Sequence, residues 1–93
     1  MKVVVRFFAA LREIAEKKEE ILEFPNSASV TVRKVLRELT AVHGKEFADY
    51  VYDTKINNVR SYLQMLVNEK SATLKTKLKD GDVLVIVPPV GGG

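Results

Sequence analysis

The chain has 93 residues, 46% hydrophobic and 29% charged, a balance close to the globular average that argues against wholesale disorder. That length allows one domain with one small core, and leaves no room for a catalytic domain plus a substrate domain. Fifteen Lys and Arg against twelve Asp and Glu give a net charge of +3, well short of the dense positive charge of a dedicated nucleic-acid binder. Cysteine is absent, which removes disulfides, thiolate metal sites and a cysteine nucleophile. The single histidine, His43, leaves no Ser-His-Asp triad or multi-histidine metal site to be expected. No apolar run approaches the roughly 18 residues of a membrane span. The opening residues meet charge at Lys2 and Arg6 and read as a strand rather than a signal peptide, so a cytoplasmic protein is expected.

Residues 2–8 are rich in β-branched and aromatic side chains, which suit a half-buried strand. Its period of two sends Val3, Val5 and Phe7 to the core and Val4, Arg6 and Phe8 to the opposite face. Residues 9–16 change to helical spacing through Ala10, Leu11, Ile14 and Ala15, and residues 17–20 are a polar turn. Residues 20–24 alternate as Ile21 and Glu23 against Leu22 and Phe24, a second strand that forms a hairpin with the first. Pro25-Asn26-Ser27 closes it. Residues 30–43 make the strongest helix, with Val32, Val35, Leu36, Leu39 and Val42 at helical spacing. Ser29 or Thr31 can cap its start, and Gly44 stops it by entering the left-handed region at low cost.

Residues 46–52 suggest a further helical turn, and residues 53–61, with Asn57-Asn58, read as a polar loop. Residues 62–68 are a third strand, with Leu63, Met65 and Val67 on one face and Tyr62, Gln64 and Leu66 on the other. Residues 68–71 read as a turn, and residues 73–78 as a short lysine-rich edge segment. Lys79-Asp80-Gly81-Asp82 is a tight turn. Residues 83–87 are five consecutive aliphatics, as expected of a central strand buried on both faces, and Pro88-Pro89 ends the sheet. There is no internal repeat. The fold class expected is α+β, a mixed sheet packed on one long helix. Residues 1–87 form the domain, and residues 88–93 an extended tail.

That tail, Pro88-Pro89-Val90-Gly91-Gly92-Gly93, is the most informative stretch. Extended, six residues reach about 20 Å. The prolines stiffen its base, while the glycines keep its tip thin enough to thread a narrow channel in another protein. Terminal glycines are also what a frayed chain end looks like. If the tip is chemical, its only reactive group is the Gly93 α-carboxylate, which is inert until an external enzyme activates it.

Residues Val5-Arg6-Phe7-Phe8-Ala9-Ala10-Leu11-Arg12-Glu13, the turn Leu66-Val67-Asn68-Glu69, and the ending Leu78-Lys79-Asp80-Gly81-Asp82-Val83 with Pro88-Pro89-Val90-Gly91-Gly92 resemble the MoaD family. Its members are the sulfur-carrying small subunits of molybdopterin synthase. The resemblance spans the whole chain and implies a β-grasp, ubiquitin-like fold, shared with ThiS and the archaeal small modifiers. It implies that a ubiquitin-activating-type (MoeB-like) enzyme uses ATP to adenylate Gly93, that sulfur then gives a thiocarboxylate, and that the tail enters a MoaE-like large subunit. Gly92, Gly91 and Val90 would be the stretch recognised in the tail. No cofactor is expected on the chain itself, which alone would catalyse nothing. Two features depart from the family pattern: a third glycine at Gly91, and Glu69 where glycine is common. Other expectations with the same tail chemistry are a ubiquitin-like modifier joined to lysines through Gly93, and a sulfur carrier for thiazole or transfer RNA. A β-grasp binding module with an inert tail is a fourth.

A partner surface is expected on Phe8, Leu66 and Val87, which fall in the phase opposite to Phe7, Val67 and Ile86. Lys70, Lys75, Lys77 and Lys79 read as a solvated edge, without the interleaved aromatics that stack on bases. Neither nucleic-acid nor membrane binding is expected. Asp80-Gly81-Asp82 lacks the ligand spacing of a calcium loop. His43 is expected to face the helix C-terminal dipole, and Glu13, Glu16, Glu19 and Glu20 to be solvated.

Overall fold

Alternation in the first residues produces strand β1 (Lys2–Arg6), with Val3 and Val5 fully buried. The computed structural model describes residues 1–26, 28–60 and 63–87. Helix α1 (Ala9–Ala15) leads into β2 (Glu19–Glu23), which pairs antiparallel with β1. Helices α2 (Val32–His43) and α3 (Lys45–Val51) follow, joined at Gly44, whose φ of 84° supplies the left-handed stop expected there. Next come β3 (Tyr52–Asp53), β4 (Asn58–Val59), β5 (Gln64–Val67), β6 (Lys70–Ala72) and β7 (Val83–Val87).

The main sheet has the order β2-β1-β7-β5-β6. Strands β1 and β7 run parallel and the other neighbours antiparallel. Val3, Val5, Leu84, Ile86 and Met65 meet Val35, Leu36 and Leu39 of α2 in one core. This mixed sheet with helices against one face is the α+β, β-grasp arrangement. Among the described residues no helix is long and apolar enough to cross a membrane.

Several expectations need correction. Beside the long helix, the helical stretches expected at 9–16 and 46–52 form α1, which adds Leu11 and Ala15 to the core, and α3, which adds Phe47 and Val51 and ends at Val51, so that Tyr52 opens β3 instead. The polar stretch 53–61 is not merely a loop, because Tyr52 pairs with Val59 and Asp53 with Asn58 in a small hairpin. Asn57, at φ 52°, provides its left-handed turn position. Residues 73–78 are not the sheet edge; β6 is. They instead bury Leu74 and Leu78 and close the start of α2. The Val32 and Arg33 amides donate to the Thr76 and Leu74 carbonyls (3.0 and 3.1 Å). The Lys34 amide donates to Thr31 Oγ1 at 3.4 Å. The amides that a helix leaves without partners at its first turn are thereby met by protein. Strand β7 is central but buried on one face only, with Leu84 and Ile86 inside and Val83, Val85 and Val87 half-exposed.

Glu20 is not solvated. Its Oε1 lies 2.7 Å from His43 Nε2, with the two side chains 11% and 9% exposed. The imidazole sits against the rings of Phe7 and Phe47 at 6.0 and 5.9 Å. So His43 ties the end of α2 to the edge strand β2, rather than facing only its own helix terminus.

The turn between β5 and β6 is the two residues Asn68 and Glu69, at φ 50° and 70°, while Lys70 and Ser71 already pair in β6. Two consecutive positive φ values mark the hairpin turn whose twist matches the strands, and they favour Asn-Gly. Glu69 therefore occupies a conformation that a Cβ disfavours. Glu69→Gly is expected to stabilise the fold by about 0.5–1 kcal/mol. A rise in the urea midpoint at unchanged slope checks this; a fall would contradict the turn geometry.

Candidate functional site

Strand β7 lies in the middle of the sheet, and its last residue, Val87, pairs with Gln64 of β5. Four residues expected at the site, Gly93, Gly92, Gly91 and Val90, lie outside the described residues, as do Pro88 and Pro89 of the expected tail. Val87 is thus the described residue nearest to them in sequence.

The registers assign the outward face residue by residue. Val4 lies opposite both Ile21 and Val83; Val85 lies opposite Arg6 and Leu66; Val87 lies opposite Gln64. Since facing residues in a sheet share a side, Val4, Ile21, Leu66, Val83, Val85 and Val87 form one apolar strip across four strands. Ile21 is the most open of them, at 57% exposure. Ion pairs Lys2–Glu23 (3.8 Å) and Arg6–Glu19 (3.3 Å) flank the strip on one side. Gln64 and Ser71 flank it on the other. The exposed pairs add little stability; their effect is a polar rim around an apolar centre, the usual layout of a protein interface.

The structure brings two of the three expected surface residues together directly: Leu66 and Val87 lie on adjacent strands and the same face. Phe8 lies just past β1, exposed where Phe7 is buried, with the Arg12 guanidinium 5.8 Å from its ring centre. Val83 and Val85 were missed as surface residues. The signal was present, because the larger Leu84 and Ile86 alternate with three valines.

A clamp of short hydrogen bonds sets these registers. Asn68 Nδ2 donates to Asp82 Oδ1 (2.8 Å), and Asn68 Oδ1 accepts from the Val83 amide (2.9 Å). Asp82 Oδ2 accepts from the Lys79 amide (2.7 Å), and Asp80 Oδ1 from the Lys2 amide (2.7 Å). The Val4 amide donates to the Asp82 carbonyl (2.9 Å), and Gly81, at φ 84°, lets the chain turn. The start of β1, the start of β7 and the end of β5 are therefore tied at one point. The two aspartates of the expected turn are engaged by backbone amides, and Asn68 is a structural residue whose importance a turn assignment alone did not reveal.

Comparison with known proteins gives four findings. The ThiS family profile matches residues 5–93. Small archaeal modifier protein 3 of Haloferax volcanii is 31% identical over 97 residues, covering 100% of both chains. A solved structure from Pyrococcus furiosus, described as a candidate molybdopterin converting factor subunit 1, is 32% identical with a TM-score of 0.73, over 97% of this chain and 99% of that one. SAMP1 from Haloferax volcanii superposes with a TM-score of 0.81 over 100% of both chains; at 24% identity it speaks for the fold alone.

Asn68→Ala is expected to cost about 1–3 kcal/mol, because it removes two side-chain bonds and puts alanine at positive φ. Denaturant unfolding measures this. A loss below a few tenths of a kcal/mol would mean the clamp does not hold the strands.

Proposed function

The chain belongs to the ThiS family of ubiquitin-like sulfur carriers and modifiers, and from that premise we propose that it is a sulfur carrier activated at the Gly93 carboxylate, delivering sulfur to molybdopterin synthase. The observation that carries this reading is the run Gly91-Gly92-Gly93, placed by sequence six residues or fewer beyond the central strand β7 and included in the family match. Glycine offers no side chain, so the tip fits a channel closed to any other residue. Activation is an adenylyl transfer followed by an acyl transfer. A carboxylate oxygen attacks the α-phosphorus of ATP, pyrophosphate leaves, and sulfide-level sulfur, as hydrosulfide, then displaces AMP to give the thiocarboxylate. ATP is a substrate of the activating enzyme, not a ligand of this chain. Val90, Gly91 and Gly92 would be read by that MoeB-like enzyme and by a MoaE-like large subunit, with the strip around Leu66, Val87 and Phe8 as the docking face. The similarity to the Pyrococcus furiosus protein favours this destination.

A second reading shares every step up to the acyl-adenylate. The same carboxyl would pass to a lysine of another protein, as an isopeptide bond. The relative that favours it is the Haloferax volcanii modifier, matched along both whole chains.

Intact mass of the protein purified from its native cells, through an internal tag, tests both. One terminal oxygen replaced by sulfur, with a single dominant partner, is expected for the synthase carrier. A ladder of conjugates through Gly93 would establish the modifier. Plain carboxylate, with the activating enzyme shown to be present, would overturn both. Leu66→Asp is expected to weaken capture of the activating enzyme about tenfold or more while the chain remains folded. Unchanged capture, measured beside the wild type, would remove the strip from the docking face.

A further inference from the structure

On the helical side of the molecule, away from the outward strip, a cavity of about 310 Å³ opens between α2, α3 and the β3–β4 hairpin. Arg33 and Arg37 stand on its α2 wall, Tyr52 and Asn57 opposite, and Leu74 lines it too. A second cavity, of about 750 Å³, shares Arg33 and Leu74 with the first, adds Arg60 and Lys75, and reaches the polar rim of the outward strip at Gln64 and Ser71. None of the residues lining either cavity is acidic. Four cations in one continuous depression exceed the +3 of the whole chain, so the rest of the surface is close to neutral.

The arginines are costly where they stand. Arg33 and Arg37 are four apart on α2, a spacing at which like charges repel. Their other helical neighbours at three and four residues offer no carboxylate; Glu38 is four from Lys34 instead. Neither arginine forms an ion pair among the described residues. Burial pushes the Tyr52 hydroxyl above its ordinary pKa, and Arg37 and Arg33, which line the same cavity, pull it back. Arg60 is held in place without being neutralised, since its Nε and Nη2 donate to the Asp49 carbonyl at 3.1 and 2.8 Å.

We propose that the cavity between Arg33, Arg37 and Tyr52 is a docking site for an acidic segment of a partner protein. A carboxylate bridging the two guanidiniums relieves their repulsion and forms charge-assisted bonds. Tyr52 and Leu74 offer apolar contact to the same segment, and Arg60 and Lys75 extend the field along it. A protein segment is favoured over nucleic acid because the cationic row is short, and Phe8, the most exposed aromatic side chain among the described residues, lies outside both cavities. The site does not depend on where the tail delivers its cargo.

The test is an NMR titration of the full, isotope-labelled chain with hexaglutamate. Shifts are expected to concentrate at Arg33, Arg37, Tyr52 and Asn57 and to weaken with salt. R33Q/R37Q is expected to lower the affinity about tenfold, while leaving the unfolding midpoint equal or higher because a repulsion is removed. K2Q/K18Q makes the same change in net charge elsewhere and is expected to leave binding within twofold. Shifts scattered over the surface, or equal losses in both double variants, would overturn the proposal. So would tighter binding of hexauridylate or inorganic phosphate at the same residues. A lowered midpoint in R33Q/R37Q would show instead that the arginines serve the fold.

Discussion

The parallel pairing of β1 with β7 is the constraint on which the rest depends. Two adjacent parallel strands cannot be joined by a tight turn, so the chain between them must cross over the sheet. Here that crossing carries all three described helices, and they collect on one face. Val3, Val5, Leu84 and Ile86 are covered in consequence, whereas Val4, Val83, Val85 and Val87 have only the sheet beneath them. The same pairing puts β7 between β1 and β5, so Val87, the last described residue, lies in the middle of the sheet, within the uncovered strip. One topological choice thus yields a helical side and an open apolar side.

The helical side depends on residues 73–78. Their carbonyls meet the first amides of α2, and their leucines fill the space beneath it. Leu74 is both part of the core and a lining residue of the two cationic cavities. The position of Arg33 is fixed by the same contact, since its own amide donates to the Leu74 carbonyl. The charged depression is therefore built on a rigid element, the condition under which surface charges can be placed well enough to select a partner.

Local patterns made most of this fold legible. The 3.6 period of Val32, Val35, Leu36 and Leu39 identified α2, and the alternation of Val3, Val5 and Phe7 identified the inner face of β1. The Asp80-Gly81-Asp82 turn was readable because the left-handed position falls on glycine. What was not legible required knowledge of distant neighbours. Residues 73–78 look like an exposed lysine-rich edge until α2 is seen to need acceptors for its amides. Glu20 looks solvated until His43, 23 residues away, is placed beside it. A run of five aliphatics carries no mark of which side is open, apart from the size difference between Leu84 or Ile86 and the valines. As for the site, Leu66 and Val87 followed from strand phase, but the Arg33–Arg37–Tyr52 cluster did not, because Tyr52 reaches α2 only through the unforeseen β3–β4 hairpin.

The proposed tail chemistry sharpens the significance of the apolar strip and the cationic depression. Glycines without side chains present the same shape to every enzyme that accepts them, so a Gly-Gly-Gly tip can confer access to a channel but little discrimination between channels. Discrimination must then come from the folded domain. The outward strip is built of Val, Ile and Leu, side chains that bury well against many complementary surfaces and penalise few wrong ones. A pair of guanidiniums behaves differently: a partner without carboxylates in register leaves the charges unmatched, and a basic partner is repelled. On the two proposals together, apolar area would supply the strength of docking, and the cationic depression its selectivity.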